Sequence, residues 1–359
     1  METQKIGIVG NGRYGGFFKT LFEKQDYTVK ISDVGTSPNN EDVVRWADVV
    51  LIAVTLTETV KVIESLIPLL REEQLVMDIA STMTGSVEAM LKSKAEVVGL
   101  HPFCAPSKRG TFNGQTIFVH RARVSKWTPW LKVFLLSTKA MIVEVEPYGH
   151  DRKRTVDQML EHMCTLLKSS VMRRLELDAA ELFEVASPVY RLTAVQMARM
   201  FAQSPELYAG IAMANPFVLK TLELFKQEFD LYCEIVRRHD LPAYVTEFTA
   251  NARHIGSANI LNAFLLSEHL IGFMADLSAE NSLLVTLPSD ESGMLEKVSG
   301  FFREAGINLV ALHSRRVDGK VEFFICLDRH RMAPEVLAVT ARLQEGLGAK
   351  VGELKAVVV

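Results

Sequence analysis

A short apolar run, Lys5-Ile6-Gly7-Ile8-Val9, leads directly into Gly10-Asn11-Gly12-Arg13-Tyr14-Gly15, and a helical pattern follows from Phe17 to Lys24. A G-x-G-x-x-G turn between a strand and a helix restricts the fold strongly, because each glycine has a separate physical task. Gly10 permits the tight turn, Gly12 lets backbone approach a pyrophosphate, and Gly15 lets the helix lie close to the strand. The unpaired N–H groups at the helix start, at Arg13 and Tyr14, suit an anion. An acid, Asp33, closes the next run, Tyr27 to Ser32, where a carboxylate favours the ribose hydroxyls of NAD and repels the extra phosphate of NADP. The expected cofactor is NAD, held by Gly10, Gly12, Arg13, Tyr14, Gly15 and Asp33.

The rest of the chain falls into three textures. From residue 1 to 148, β-rich runs (Val49–Val54, Leu75–Ile79, Ala95–Leu100, Gln115–Val119) alternate with helical ones (Glu58–Leu70, Thr84–Lys92). The alternation predicts a Rossmann-type, doubly wound α/β domain with buried parallel strands. Pro147-Tyr148-Gly149 breaks the rhythm, and residues 149–277 read as an all-helical domain. Its helix starts are expected at Ser187-Pro188, Ser204-Pro205 and Asn215-Pro216. Its apolar residues either fill its own core or face a second copy of the chain. Residues 281–359 follow the order βαββαβ and predict a small ferredoxin-like α+β module.

At 359 residues, several domains are expected. A net charge of −3 gives no reason to expect nucleic acid or an acidic membrane as partner. The four cysteines, Cys104, Cys164, Cys233 and Cys326, lack metal-site spacing and read as reduced thiols, so no metal is expected. The first strand at Lys5 leaves no room for a targeting peptide, and no stretch reads as a membrane span of roughly 18 apolar residues. The cytoplasm is the expected compartment.

Two groups are expected at the carboxyl edge of the sheet, Ser81 after one strand and His101 after the next. There an imidazole can accept a hydrogen bond or proton from a substrate hydroxyl, although a structural histidine would read the same way. The segment His101-Pro-Phe-Cys-Ala-Pro-Ser-Lys-Arg-Gly-Thr-Phe112 resembles the HPMFGP-type segment of prephenate dehydrogenases. So do Asp78-Ile-Ala-Ser81, Gly149-His150-Asp151 with Gln158-Met-Leu-Glu-His162, and the long stretch Ser187 to Gln203. That resemblance implies NAD-dependent oxidative decarboxylation of prephenate to 4-hydroxyphenylpyruvate in tyrosine biosynthesis. It implies His101 as the catalytic histidine on the ring hydroxyl, with Ser81 helping to hold that hydroxyl and His101, and Arg199 on a substrate carboxylate. A guanidinium suits this dianion as a bidentate, always-charged clamp.

Arg191 binds substrate or pairs with an acid such as Glu184. His162 and Gln158 match polar family positions facing the cleft, and His150 and Asp151 match a motif where a structural hydrogen-bonding role is expected. His120, His239, His254, His269 and His330 carry no supporting motif. Met83 stands where many relatives have lysine and Ala105 where they have glycine, which leaves arogenate open as an alternative substrate. Arogenate's ammonium would favour a pocket acid, and none is evident.

The stretch Ser289 to Val298, then Gly306-Ile-Asn308 and His313-Ser314-Arg315, resembles an ACT domain. Ser292 stands where proline is usual. The resemblance implies an amino-acid effector, tyrosine first and phenylalanine second, at Gly293, Met294, Asn308 and Ser314, and a homodimer. The alternatives are a module that only dimerises and, for the whole chain, a catalytically silent NAD-holding sensor.

Overall fold

A computed structural model describes residues 4–104, 106, 111–277, 279–317 and 319–352. Short strands, three of them almost wholly buried, open the chain, separated by amphipathic helices whose buried faces cover the sheet. In order these are β1 (Lys5–Val9), α1 (Arg13–Glu23), β2 (Thr28–Ser32), α2 (Asn40–Trp46), β3 (Val49–Ile52), α3 (Leu56–Leu66), β4 (Leu75–Asp78) and α4 (Thr84–Leu91). Then follow β5 (Glu96–Pro102), β6 (Thr116–Arg123), α5 (Thr128–Ser137) and β7 (Met141–Glu144). The seven strands form one sheet in the order β2-β1-β3-β4-β5-β6-β7. After β1 the chain passes to one side for β2 and to the other for β3. That reversal opens a crevice beyond the carboxyl ends of β1 and β3, where open α/β sheets take their ligands.

One expectation fails here. β6 runs antiparallel to β5, with His101 opposite Phe118, and only β7 restores the parallel direction beside it. The apolar run at Gln115–Val119 reports burial, which is common to both directions, and so could not have revealed the sense of the strand.

Pro147, expected to end the alternation, is the first-turn proline of α6 (Pro147–Arg154). That helix continues through a wide π turn at Thr155–Leu160 into α7 (Glu161–Arg174). The helices α8 (Ala179–Glu184), α9 (Pro188–Phe201), α10 (Pro205–Ala214), α11 (Val218–Arg237), α12 (Leu241–Ile255) and α13 (Ser257–Leu277) follow. Ser187 caps α9 by accepting from the Tyr190 N–H, and α10 begins at Pro205. Asn215-Pro216 does not start a helix: the Asn215 carboxamide accepts from the Phe217 N–H and donates to the Asp151 carbonyl oxygen at 2.8 Å, so α11 begins only at Val218. By length and composition, α13 is apolar enough to cross a membrane, which corrects the expectation that no stretch is. Polar Asn259, Asn262, Ser267, Glu268 and His269 interrupt it, and it packs on α9 and α12.

The C-terminal module comprises β8 (Ser282–Leu287), α14 (Met294–Glu304), β9 (Leu309–Val317), β10 (Lys320–Leu327), α15 (Pro334–Leu347) and β11 (Lys350–Gly352). Its antiparallel sheet has the order β11-β8-β10-β9, the ferredoxin-like arrangement expected from βαββαβ. Residues 353–359 of the expected last strand lie outside the described residues. Val285, Val298, Phe302, Ile325, Val336 and Leu343 form its core.

The chain divides into two compact units, Met1–Leu166 with Gln203–Glu228, and Leu167–Ala202 with Phe229–Val359. In the first, one face of the sheet carries an aromatic stack in which the ring of Phe134 lies 5.0 Å from Phe22 and 5.4 Å from Trp130. Phe134 is 1% exposed, so Phe134→Ala should cost about 3–5 kcal/mol through lost burial and the cavity left behind. All three tryptophans, Trp46, Trp127 and Trp130, belong to this unit, so denaturant unfolding followed by intrinsic fluorescence measures that loss directly.

Candidate active site

The glycine turn is built as its sequence requires. Gly10 has φ +105°, and a Cβ there would meet the Ala53 carbonyl oxygen at 2.5 Å, while a Cβ on Gly15 would lie 1.9 Å from the Gly10 carbonyl oxygen. Around the Cβ position of Gly12, by contrast, nothing lies within 4 Å, which leaves the close approach that a pyrophosphate needs. Gly12 caps α1 without a side-chain bond, so the N–H groups at Arg13 and beyond keep their anion-binding capacity. Asp33 accepts from the Asn11 N–H at 2.8 Å and the Val34 N–H at 2.7 Å, which fixes its carboxylate beside the turn. These residues fit a dinucleotide with a free ribose 2′-hydroxyl.

Tyr14 ties this turn to the next part of the site. Its hydroxyl donates to the Cys104 carbonyl oxygen and lies 3.3 Å from that of Pro102, in the segment that follows His101. Burial first, and then Cys104, push the phenol far above its ordinary range, so it stays a donor.

His101, the penultimate residue of β5 and 3% exposed, is held by a chain of polar groups. Its Nδ1 lies 3.0 Å from His150 Nε2, and His150 Nδ1 lies 2.8 Å from Asp151 Oδ1. Asp151 also accepts from the N–H groups of Met83 at 2.8 Å and Thr84 at 2.9 Å, at the start of α4. Burial pushes the Asp151 carboxyl up, but hydrogen bonds from His150, Thr84 and Met83 together outweigh it and hold the group ionised below its usual range. The rest follows from donor arithmetic. An ionised carboxylate only accepts, so His150 Nδ1 carries the proton and a neutral His150 presents a bare Nε2. His101 must then donate from Nδ1, which leaves Nε2 as its lone-pair nitrogen. Burial, reinforced by His150 and Arg154, pushes the His101 imidazole down to about 3 against the opposing pull of Asp151, so the ring is neutral at physiological pH. The arrangement presents a hydrogen-bond or proton acceptor at the carboxyl edge of the sheet.

The sequence reading did not reach Arg154. This arginine is 8% exposed, and its guanidinium carbon lies 4.6 Å from the ring centroids of both Phe103 and Phe118. The same two rings flank His101, with centroids 5.5 and 6.0 Å from the imidazole. No motif signalled Arg154; only the strand pairing that sets Phe118 opposite His101 reveals it.

Other expected residues are placed as follows. Ser81 follows β4 as expected, but it makes no hydrogen bond to His101 among the described residues; His150 takes that role. Met83 is fully buried in the core beneath α4, while Ala105 lies outside the described residues. Gln158 sits in the π turn, and the His162 ring packs edge-on to Tyr208 at 4.6 Å with Nδ1 buried. Arg191 and Arg199 lie on α9 in the second unit, and the Glu184 side chain lies outside the described residues. In the C-terminal module, Gly293, Met294 and Ser314 line an open recess of about 350 Å³, together with Arg315, Arg316 and Phe323. Asn308 is exposed at the turn before β9 and does not line it.

Comparison with known proteins agrees with this architecture. Residues 21–124 match the profile described as prephenate dehydrogenase, nucleotide-binding domain, residues 146–250 match prephenate dehydrogenase, dimerization domain, and residues 281–344 match the ACT domain. A probable arogenate/prephenate dehydrogenase of Methanocaldococcus jannaschii is 28% identical over 73% of this chain, and the T-protein of Haemophilus influenzae is 29% identical over 69%. The chain spans 60% and 66% of the lengths of those two relatives. Prephenate dehydrogenase from A. aeolicus, solved with hydroxyphenyl propionate and NAD+, shares the fold with a TM-score of 0.56 at 18% identity, over 71% of this chain and 99% of its own. Synechocystis arogenate dehydrogenase does so with a TM-score of 0.53 at 17% identity, over 70% and 99%.

The buried neutral imidazole has a thermodynamic consequence. Below an unfolded-state value near 6.5, the unfolded chain binds a proton at His101 that the folded chain refuses until about pH 3. Stability should therefore fall as pH drops through that window. His101→Asn should show a shallower fall, measured as denaturation midpoint against pH.

Proposed function

The chain belongs to the prephenate dehydrogenase family, and on that basis we propose that it catalyses the NAD-dependent oxidative decarboxylation of prephenate to 4-hydroxyphenylpyruvate. The observation that carries the reading is the polar chain from the start of α4 through Asp151 and His150 to His101, because it fixes the tautomer the reaction needs.

In this reading Gly12, the N-terminal N–H groups of α1 and Asp33 hold NAD, whose nicotinamide supplies the hydride acceptor. His101 Nε2 accepts the hydrogen bond of the ring hydroxyl and draws electron density towards the carbon that gives up hydride. The bond from the ring to its carboxylate then breaks, its electron pair completes the aromatic ring, and carbon dioxide leaves. The dianion becomes a monoanion as NAD+ becomes NADH, so charge balances without a net proton. A neutral His101 is the appropriate partner, since an imidazolium could not accept. Arg199 takes a substrate carboxylate, with Arg191, Gln158 and His162 as further substrate contacts and Ser81 at the hydroxyl. The two carboxylates that reach His101 and Arg154 from α6 and the π turn are engaged, Asp151 by His150 and backbone and Asp157 by Arg154 at 2.7 Å. Neither of these two is set aside for the ammonium of arogenate, which supports prephenate.

The recess beside Gly293 is the proposed effector site, with tyrosine as its ligand and feedback inhibition as its effect. Gly293 has φ +85° and precedes α14, whose first N–H groups suit the effector's carboxylate. The apolar residues left exposed on α11 to α13, among them Leu219, Phe229, Phe248, Leu261 and Phe264, support association as a homodimer.

NADH formation from prephenate and from arogenate tests the reading. Prephenate should be the better substrate, and His101→Asn should lower kcat by about 10²–10⁴-fold. An absence of turnover with both would favour the silent sensor, and full activity in His101→Asn would refute the role given to that residue. Added tyrosine should lower the rate and raise the unfolding temperature of the C-terminal module; unchanged values of both would leave that module without its proposed ligand.

A further inference from the structure

Arg154 is a permanent cation placed where a buried cation is expensive. It is 8% exposed, and among the described residues its Nε meets no partner and its one ion pair is to Asp157, whose side chain is 46% exposed. The faces of Phe103 and Phe118, each 4.6 Å from its guanidinium carbon, supply the rest of its environment. Cation–π contacts of this kind are worth about 0.5–2 kcal/mol, which does not by itself explain burying a charge. The position offers an explanation, because the two rings that hold Arg154 also pack against His101.

We propose that Arg154 is a positioning residue for His101: its fixed charge, clamped between Phe103 and Phe118, opposes a second charge on the imidazole and keeps Nε2 available as an acceptor. This rests on the reading of His101 as the partner of the substrate hydroxyl. In a site this dry, two positive charges separated by one layer of aromatic rings repel far more strongly than in water. The two phenyl rings also confine the imidazole, which receives its Nδ1 contact from His150. Among the described residues, the charged and titratable groups that act on His101 are on α6: His150 and Asp151, which form its polar chain, and Arg154. β6 and the segment after β5 face it with Phe118 and Phe103, and Asp157 faces Arg154 from the π turn. Of these, Asp151 favours the imidazolium directly, and Arg154 offsets it.

The test is the titration of His101, followed by histidine NMR in the full-length protein, beside the acid limb of the kcat/KM profile. In Arg154→Met the His101 midpoint and the acid limb should both move up by about one pH unit. Arg154→Lys, which keeps the charge, should leave both near the wild-type position. Asp157→Asn, a near-isosteric change at a half-exposed side chain, should move both down, because it strips Arg154 of its counter-charge. A His101 titration unmoved in Arg154→Met would overturn the proposal. If Arg154→Met does not fold, an Asp157→Asn variant with an unmoved or raised midpoint would overturn it equally. The NMR readout needs no turnover, so a protein inactive on prephenate and arogenate would refute the proposed reaction while the titration still judged Arg154.

Discussion

The site depends on one carboxylate. Asp151 accepts from two backbone N–H groups at the start of α4 and from His150, and its own carbonyl oxygen receives the Asn215 carboxamide. Through these bonds the loop after β4, the second turn of α6 and the turn before α11 meet at a single residue that is fully buried. A buried charge is costly unless its lone pairs are filled, and here the filling groups are the elements that must be aligned for His101 to work. Structural satisfaction of Asp151 and chemical preparation of His101 are therefore the same set of bonds.

Much of the fold was legible because it rests on local signals. The glycine turn, the strand runs to either side of it, the Ser187-Pro188 helix start and the βαββαβ module all follow from spacing and residue type. The antiparallel sense of β6 was hidden, since a short apolar run reads the same whichever way a strand points. Asn215-Pro216 misled because a capping residue before proline can also close a tight turn, which is what the bond from Phe217 does.

The site was legible one residue at a time and illegible as a network. His101 and Ser81 could be set on the sheet edge by counting strands, yet which group would touch His101 depends on α6 returning to that edge. His150 and Asp151 stand 49 and 50 positions further along the chain, and no periodicity links them to β5. Arg154 was harder still. An arginine at the end of the basic run Arg152-Lys153-Arg154 reads as a solvated surface charge, and only the pairing of His101 with Phe118 encloses it.

The π turn at Thr155–Leu160 has a meaning of its own. It accommodates one residue more than a regular turn, so it acts as a phase shifter inside a continuous helical rod. Upstream, His150, Asp151 and Arg154 keep the angular setting demanded by the sheet. From Met159, within the turn, to Met163 beyond it, the helix takes the setting demanded by Ile211 and Val218, with which these methionines pack. Two incompatible packing phases are thus reconciled within one helix, without a break in the chain between them.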